Sequence, residues 1–414
     1  MAEHERASAN GRAAPTAVGA ASHRKKPERS DHGGRSRRVG GVFVACLLAV
    51  VVVSAVLLGS KMWHRVSGPT PDYTGSGERD VVIRVHDGDS TTAVGETLLE
   101  NRVVSTVQVF LDAAYGNTAI ASIQPGYYRV RTEIPAADAV ARLTNPDNRV
   151  GKLVVPEGRQ LDDTTDIKTG KVTPGIFTLI SQATCTDLDG DEHCVSADDL
   201  RTAAAKSSPS ALRIPDWALE PVRGLGEDHR RIEGLIAPGT FNVDPAGSSE
   251  TILAGLITDG SEEYQDAGLV EHAKSADLSP YDILVVASLV QQEASPEDFA
   301  KVARVIYNRL DEPQRLEFDS TVNYPLDERE VATTDVARGE RTPWNTYQSD
   351  GLPATAICSP SVDAVRAAES PEPGDWLYFV TIDSDGTTLF TRDYQEHLAN
   401  IELAKGNGIL DSSR

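Results

Sequence analysis

The stretch Ser279–Leu310, S-P-Y-D-I-L-V-V-A-S-L-V-Q-Q-E-A-S-P-E-D-F-A-K-V-A-R-V-I-Y-N-R-L, sets one carboxylate, Glu293, at the junction of two helical patterns. On a helix Glu293 follows Val290 by three residues and Leu289 by four, so it projects from the apolar face that Val286, Leu289 and Val290 define. Burial disfavours a charged carboxylate and raises its pKa, which lets a Glu keep its proton near neutral pH and deliver it to a leaving group. Spacing alone leaves a second reading open, a helix that ends in a solvated Q-Q-E turn. The elements that must position Glu293 are marked locally. Ser279 is an N-cap, Pro280 the first helical residue and Asp282 a first-turn acid. Ser295, Pro296, Glu297 and Asp298 repeat that start signal, and Phe299, Val302, Ala303, Ile306 and Leu310 carry a second helix, so the two helices form a corner at Glu293.

The whole chain, 414 residues, exceeds one core and predicts two or three units. Residues 1–40 hold nine Lys/Arg against four Asp/Glu and almost no large apolar side chains, a disordered basic arm. Gly41–Gly59 is uncharged for nineteen residues and follows Arg35, Arg37 and Arg38, which predicts a single transmembrane signal anchor (41–60) with the arm in the cytoplasm and the rest outside. A cleaved signal peptide fits less well, since the run is long and no small-residue cleavage site stands out. The arm is +5 in a chain of net charge −22, leaving −27 for the remainder, which speaks against nucleic acid as a partner. Residues 61–78 read as a Pro/Gly/Ser linker.

Residues 79–155 read as a small α+β module: a strand at 81–85, a D-G-D-S turn, two short helices, and later strands at Tyr127–Val130 and Lys152–Val155. Its first part resembles a LysM-like module, which implies glycan binding; a spacer without a ligand fits the same residues. The stretch 182–220 is acidic and poor in large apolar residues, and reads as a solvated surface insertion closed by a disulfide between Cys185 and Cys194. A calcium loop counted from Asp187 fails, because Gly190 comes fourth rather than sixth and Asp198 stands where a Glu is required. The sequence offers no Cys/His metal cluster and no Gly-rich phosphate loop, so neither metal nor organic cofactor is expected.

After the acidic stretch come R-I-E-G-L-I-A-P-G-T-F (231–241), A-S-L-V-Q-Q-E (287–293), V-I-Y-N-R-L (305–310), L-E-F-D-S-T-V-N-Y (316–324), T-P-W-N-T-Y (342–347), G-L-P-A-T-A-I-C-S-P (351–360), W-L-Y-F-V (376–380) and Y-Q-E-H (394–397). In this order and spacing the chain resembles the YceG-like family of endolytic murein transglycosylases. The resemblance implies a larger mixed α+β catalytic domain (156–405, with a tail at 406–414), so the fold class is α+β throughout: anchor, LysM-like module, catalytic domain. It implies a single-pass protein of the cell membrane that cuts nascent peptidoglycan glycan strands, with wall synthases as possible partners, and it assigns the catalytic acid to Glu293. Such an enzyme protonates the bond between N-acetylmuramic acid and N-acetylglucosamine, and the muramic C6 hydroxyl closes on the anomeric carbon. One Glu then suffices as acid and base, where ordinary glycosidases use two carboxyls.

The expected supporting residues are Glu233, which matches the family's L-E-G Glu and either orients substrate or Glu293 by hydrogen bonding or pairs locally, and Asn308, either a site contact or a helix tie. Asp319, Thr321 and Tyr324 lie on a polar loop suited to sugar hydroxyls and acetamides. Asn345, Thr346 and Tyr347 follow Pro343 in a loop expected to line the cleft. Trp344 could stack on sugar or belong to the core, and Glu396 and His397 read as structural. Departures from the family pattern are Gly239 in place of Asp, Phe241 in place of Tyr, missing prolines in G-L-P-A-T-A-I and Thr388 where a His is common. The altered P-G-T-F segment keeps in view a glycan-binding scaffold that does not cut, and a hydrolase in which Glu233 or Asp319 is the base is a further alternative. No local Ser-nucleophile signature supports a protease.

Overall fold

The V-V-I-R-V run builds β1 (Asp80–Val85), whose inward positions Ile83 and Val85 are buried while Arg84 between them is exposed. The computed structural model describes residues 71–276, 278–326, 328–329 and 333–409; the basic arm, the apolar run 41–59 with Cys46, and the first part of the linker lie outside them. Among the described residues no helix is long and apolar enough to cross a membrane.

From β1 the chain enters α1 (Thr91–Glu100), capped by Ser90, and α2 (Val107–Ala114), capped by Thr106. It returns as β2 (Gly126–Arg131), antiparallel to β1 with Asp80 opposite Arg131 and Val85 opposite Gly126. Helix α3 (Ala136–Thr144) and the short β3 (Arg149–Val150), paired with β2, complete the module. Its own core is formed by side chains such as Ile83, Leu98, Phe110, Val130, Ile134 and Val140.

The next strand, β4 (Lys152–Val155), does not join this sheet. It pairs with a strand about ninety residues on in the chain, Leu153 lying opposite Phe241. The module therefore ends at Gly151 rather than at 155. Gly151 sits at φ +71°, and a Cβ there would lie 2.0 Å from the Val243 carbonyl oxygen, so the joint requires glycine.

Helix α4 (Ile176–Thr184) runs into a disulfide-closed hairpin, β5 (Thr186–Leu188) and β6 (Asp191–His193), with Cys185 joined to Cys194 at its base. The tip of the hairpin grips the module: Asp189 and Asp80 each accept the other's backbone N–H at 3.1 Å, and Arg131 reaches both carboxylates. Helix α5 (Ala197–Lys206) follows, and here the reading of 182–220 as a solvated insertion is corrected. Leu200, Ala204, Leu212, Ile214 and Ala218 are buried in the main core. A few apolar residues at the right spacing seat the segment despite its acidic composition.

Strand β7 (Gly239–Asn242) completes the pair with β4, and α6 (Ser249–Ala267) ends at Gly268 with φ +114°. Helix α7 (Pro280–Glu293) is the centre of the domain. Ser279 and Asp282 form a full capping box, and every residue from Ile283 to Val290 is buried. The sequence suggests an amphipathic stripe, whereas the helix is enclosed all round for about two turns. Helix α8 (Phe299–Asp311), the one-turn α9 (Asp319–Asn323) and α10 (Val362–Glu369) pack around it. A hairpin of β8 (Tyr378–Thr381) and β9 (Thr388–Thr391), backed by α11 (Tyr394–Gly406), closes the domain.

Candidate active site

Helix α7 stops where its last turn is tied down. The Gln292 side-chain amide donates to the Gly158 carbonyl (3.0 Å), and the Gln291 side chain accepts from the Ser361 N–H (2.9 Å). One turn earlier the Ser288 hydroxyl donates to the Val285 carbonyl (2.7 Å) and accepts from the Ile357 N–H (3.0 Å). Two loops far apart in sequence, 156–160 and 357–361, thus hold the turn that carries Glu293. Ala294 then leaves helical geometry at φ −139°, and Ser295-Pro296 starts the next element.

Glu293 itself is half-buried. Burial raises its carboxyl from the ordinary 4.5 to about 7, and the negative charge of Asp319 pushes the same way; Ser320 and the Arg309 guanidinium oppose them. The Ser320 hydroxyl is buried beside Glu293 and has no other hydrogen-bond partner among the described residues. Arg309 is buried, donates to the carbonyls of Leu377 (2.7 Å) and Leu316, and lies 5.5 Å from the centre of the Tyr378 ring.

Asp319 has the opposite environment. Its Oδ1 accepts from the Thr333 hydroxyl (2.6 Å), the Tyr347 hydroxyl (2.8 Å) and Arg338 Nε (3.2 Å), and its Oδ2 accepts from Arg338 Nη2 (3.0 Å). Burial works to raise this carboxyl, but the hydrogen bonds from Arg338, Thr333 and Tyr347 outweigh it and hold the group below its usual range. The site therefore sets two acids apart, Asp319 held ionised below its usual range and Glu293 raised to where it exchanges a proton near neutral pH.

Of the residues expected from sequence, Glu293, Asp319 and Tyr347 come together here, and the others do not offer themselves to a ligand. Asn345 is 1 % exposed; its amide donates to the carbonyls of Glu340 (2.6 Å) and Arg338 (3.2 Å) and its oxygen accepts the Tyr347 N–H, so it folds its own loop. Thr321 and Thr346, both buried, share a hydroxyl contact of 2.8 Å that stitches that loop to the start of α9. Asn308 ties α8 to the carbonyls of Trp376 (2.8 Å) and Gly374 (3.2 Å). Tyr324 is buried and donates its hydroxyl to Glu233 Oε2 (2.8 Å). Glu233 is 1 % exposed and cannot meet a substrate in this arrangement. Trp344 belongs to the core, edge-on to Tyr324 at 5.3 Å with its indole N–H on Thr355 Oγ1. Glu396 accepts from the Thr391 hydroxyl (2.7 Å) within the C-terminal unit.

Sequence reasoning missed Gln291, Gln292, Ser320, Arg309 and Arg338. The first four adjoin expected residues inside the same motifs, which is the available signal; Arg338, in D-V-A-R-G-E, carries none. Gly239 and Phe241, the departures from the family pattern, are ladder residues of β7 opposite Val155 and Leu153. Among the described residues the one cluster with metal-ligand spacing is Cys185, Glu192 and Cys194, and its two sulfurs are joined in the disulfide.

Comparison with known proteins adds the following. The family described as "YceG-like family" matches residues 83–403. A protein named endolytic murein transglycosylase from Streptococcus pneumoniae serotype 2 is 25 % identical over 336 residues, 78 % of this chain and 58 % of the relative. The chain thus spans somewhat over half the length of that relative. A protein of the same name from Bacillus subtilis strain 168 is 26 % identical over 323 residues, 77 % of this chain and 82 % of the relative. A crystal structure of a yceG-like protein from Listeria monocytogenes is similar with a TM-score of 0.49 at 22 % identity, covering 77 % of this chain and 98 % of the other.

Proposed function

The chain belongs to the YceG-like family, and we propose that it is a peptidoglycan lytic transglycosylase that cuts glycan strands within their length, with Glu293 as the single general acid and base. The observation that carries this reading is the placement of Glu293, half-buried at the end of the enclosed helix α7 and beside an Asp319 that Arg338, Thr333 and Tyr347 hold, surroundings that raise its carboxyl to about 7. The names of the relatives from S. pneumoniae and B. subtilis support the substrate class.

In the reaction Glu293 gives its proton to the glycosidic oxygen between N-acetylmuramic acid and N-acetylglucosamine, and the bond to the muramic anomeric carbon breaks. The resulting Glu293 carboxylate takes the proton of the muramic C6 hydroxyl as that oxygen bonds to the anomeric carbon. The products are an anhydromuramic end and a free N-acetylglucosamine hydroxyl; no water is consumed, and Glu293 recovers its proton. Asp319 favours the protonated state of Glu293 before the first step and adds negative charge beside the cationic transition state.

A hydrolase would need a second carboxylate free to activate water. Glu233 is sealed in the core and the Asp319 oxygens are occupied by Arg338, Thr333 and Tyr347, which favours the lytic route. The proposal includes a membrane anchor at 41–59, supported by the uncharged run behind Arg35, Arg37 and Arg38, with the catalytic domain on the outer face beside wall synthases. The β1-α1-α2-β2 order of the module suits a LysM-like glycan holder that feeds the site.

The test is mass analysis of fragments made from uncrosslinked glycan by the full chain and by its Glu293→Gln variant. Anhydromuramic ends from the wild type and none from the variant are expected. Reducing ends would establish hydrolysis instead, and glycan binding by both proteins without cutting would establish a scaffold.

A further inference from the structure

Glu233 is a second acid that the fold lifts towards neutrality, and the reaction above does not use it. Its place is fixed by the backbone next to it. Gly234 adopts φ +81°, and a Cβ there would lie 2.5 Å from the Ala356 Cβ, so the backbone beside Glu233 runs in close contact with the 356–358 segment and requires glycine. Glu233 Oε2 accepts the Leu161 N–H (3.2 Å) and the Tyr324 hydroxyl (2.8 Å), while Oε1 is buried without a hydrogen-bond partner among the described residues.

The groups that face it come from every side. Asp162 acts from the loop after β4, itself bonded to His229 Nε2 (2.6 Å) and Arg201 Nε (3.0 Å). Tyr264 on α6 and Tyr281 on α7 are both buried and both feel its charge. An ionised carboxylate in this chamber would bury a charge with one oxygen unpaired, which is the costly state. Burial accordingly raises the Glu233 carboxyl to about 8.

Tyr324 is the link to the site. It caps α9, its N–H bonded to the Ser320 carbonyl at 3.0 Å, and the first two residues of that one-turn helix are Asp319 and Ser320, which act on Glu293. We propose that Glu233 is a positioning residue that acts as an uncharged acid, anchoring Tyr324 and so fixing α9, with Asp319 and Ser320, against Glu293. Its function is to accept the Tyr324 hydroxyl; it neither touches substrate nor transfers a proton. The proposal rests on the reading of Glu293 as the acid, and its test separates the two.

The experiment compares Glu233→Gln, Glu233→Ala and Tyr324→Phe in the full chain, reading thermal melting from pH 5 to 8.5, the pH profile of glycan cutting, and titration of the Glu293 carboxyl by carbon-13 NMR. Gln has the shape of a protonated Glu and keeps an acceptor for Tyr324. It is expected to retain activity within about threefold of wild type and to restore most of what Ala loses, about tenfold. Tyr324→Phe, which keeps the ring, is expected to shift the Glu293 midpoint and the alkaline limb of the profile together. Glu233→Gln is also expected to flatten the loss of melting temperature that the wild type shows as pH rises from about 5 to 8. A folded Glu233→Gln protein as inactive as Glu293→Gln, or a Glu293 midpoint unmoved in both Tyr324→Phe and Glu233→Ala, would overturn the proposal. If the wild type cuts no glycan, the reading of Glu293 as the acid fails, and the NMR midpoints still decide whether Glu233 and Tyr324 set that carboxyl.

Discussion

Glu293 and Glu233 are both raised by burial, one to about 7 and the other to about 8, yet they sit in different kinds of surroundings. Around Glu293 the neighbours are charges and dipoles at a half-open corner: Asp319 with its Arg338 partner, Ser320 and Arg309. Around Glu233 they are tyrosines and backbone in a closed chamber, Tyr324, Tyr281, Tyr264 and the Leu161 N–H, with Asp162 as an acid that acts on it. A raised pKa by itself marks a site poorly, since structural acids share it. What separates the two is whether the proton can leave towards a ligand.

The largest effect belongs to the open acid. Glu293→Gln should lower the cutting rate by about 10²–10⁴ without lowering the melting temperature, measured as fragment release per enzyme. The closed acid should show the reverse pattern. Glu233→Ala leaves the Tyr324 hydroxyl and the Leu161 N–H without their acceptor and should destabilise the fold by about 2–4 kcal/mol in chemical denaturation. The sign with pH is fixed by the direction of the shift. A carboxyl raised from 4.5 to about 8 on folding contributes stability fully below about 4.5 and loses it as pH rises through 8. The difference between wild type and Glu233→Ala should therefore be greatest near pH 5 and shrink towards pH 8.

Asp319→Asn probes the charge that faces the open acid. Removing a negative neighbour favours ionised Glu293, so its pKa falls and the alkaline limb of the rate profile moves to lower pH, with about tenfold lost at pH 7. The smallest change is expected from Tyr347→Phe. Asp319 keeps Arg338 and Thr333, so a loss of about threefold and little movement of the limb should be seen in the same assay.

Much of the scaffold around the open acid is written locally. The start of α7 is set by Ser279, Pro280 and Asp282 within four residues, and the α7–α8 corner by the repeat of that signal at Ser295 and Pro296. The mixed α+β character is legible for the same reason, because caps, turns and periodicity act over short spans. The surroundings of the closed acid are not written locally. A Glu in I-E-G looks as fit for substrate as for core, and the hydrogen bonds it accepts from the Leu161 N–H and from Tyr324, ninety-one residues away, distinguish them. Asn345, Thr321 and Thr346 mislead in the same way: a polar side chain in a loop can serve a sugar or a nearby carbonyl, and here it serves the loop. The pairing of β4 with β7, and the seating of α5 by Leu200 and Ala204 inside an acidic stretch, are also decided by distant partners.

The central claim is that Glu293 holds its proton near neutrality because burial and Asp319 make it do so. The most direct test is the pH dependence of kcat/KM for glycan cutting by the full chain, taken from pH 5 to 9 for the wild type and Asp319→Asn. The account expects an alkaline limb centred near 7 that moves to lower pH in the variant. A limb centred near 4.5, or one near 7 that Asp319→Asn leaves in place, would contradict it.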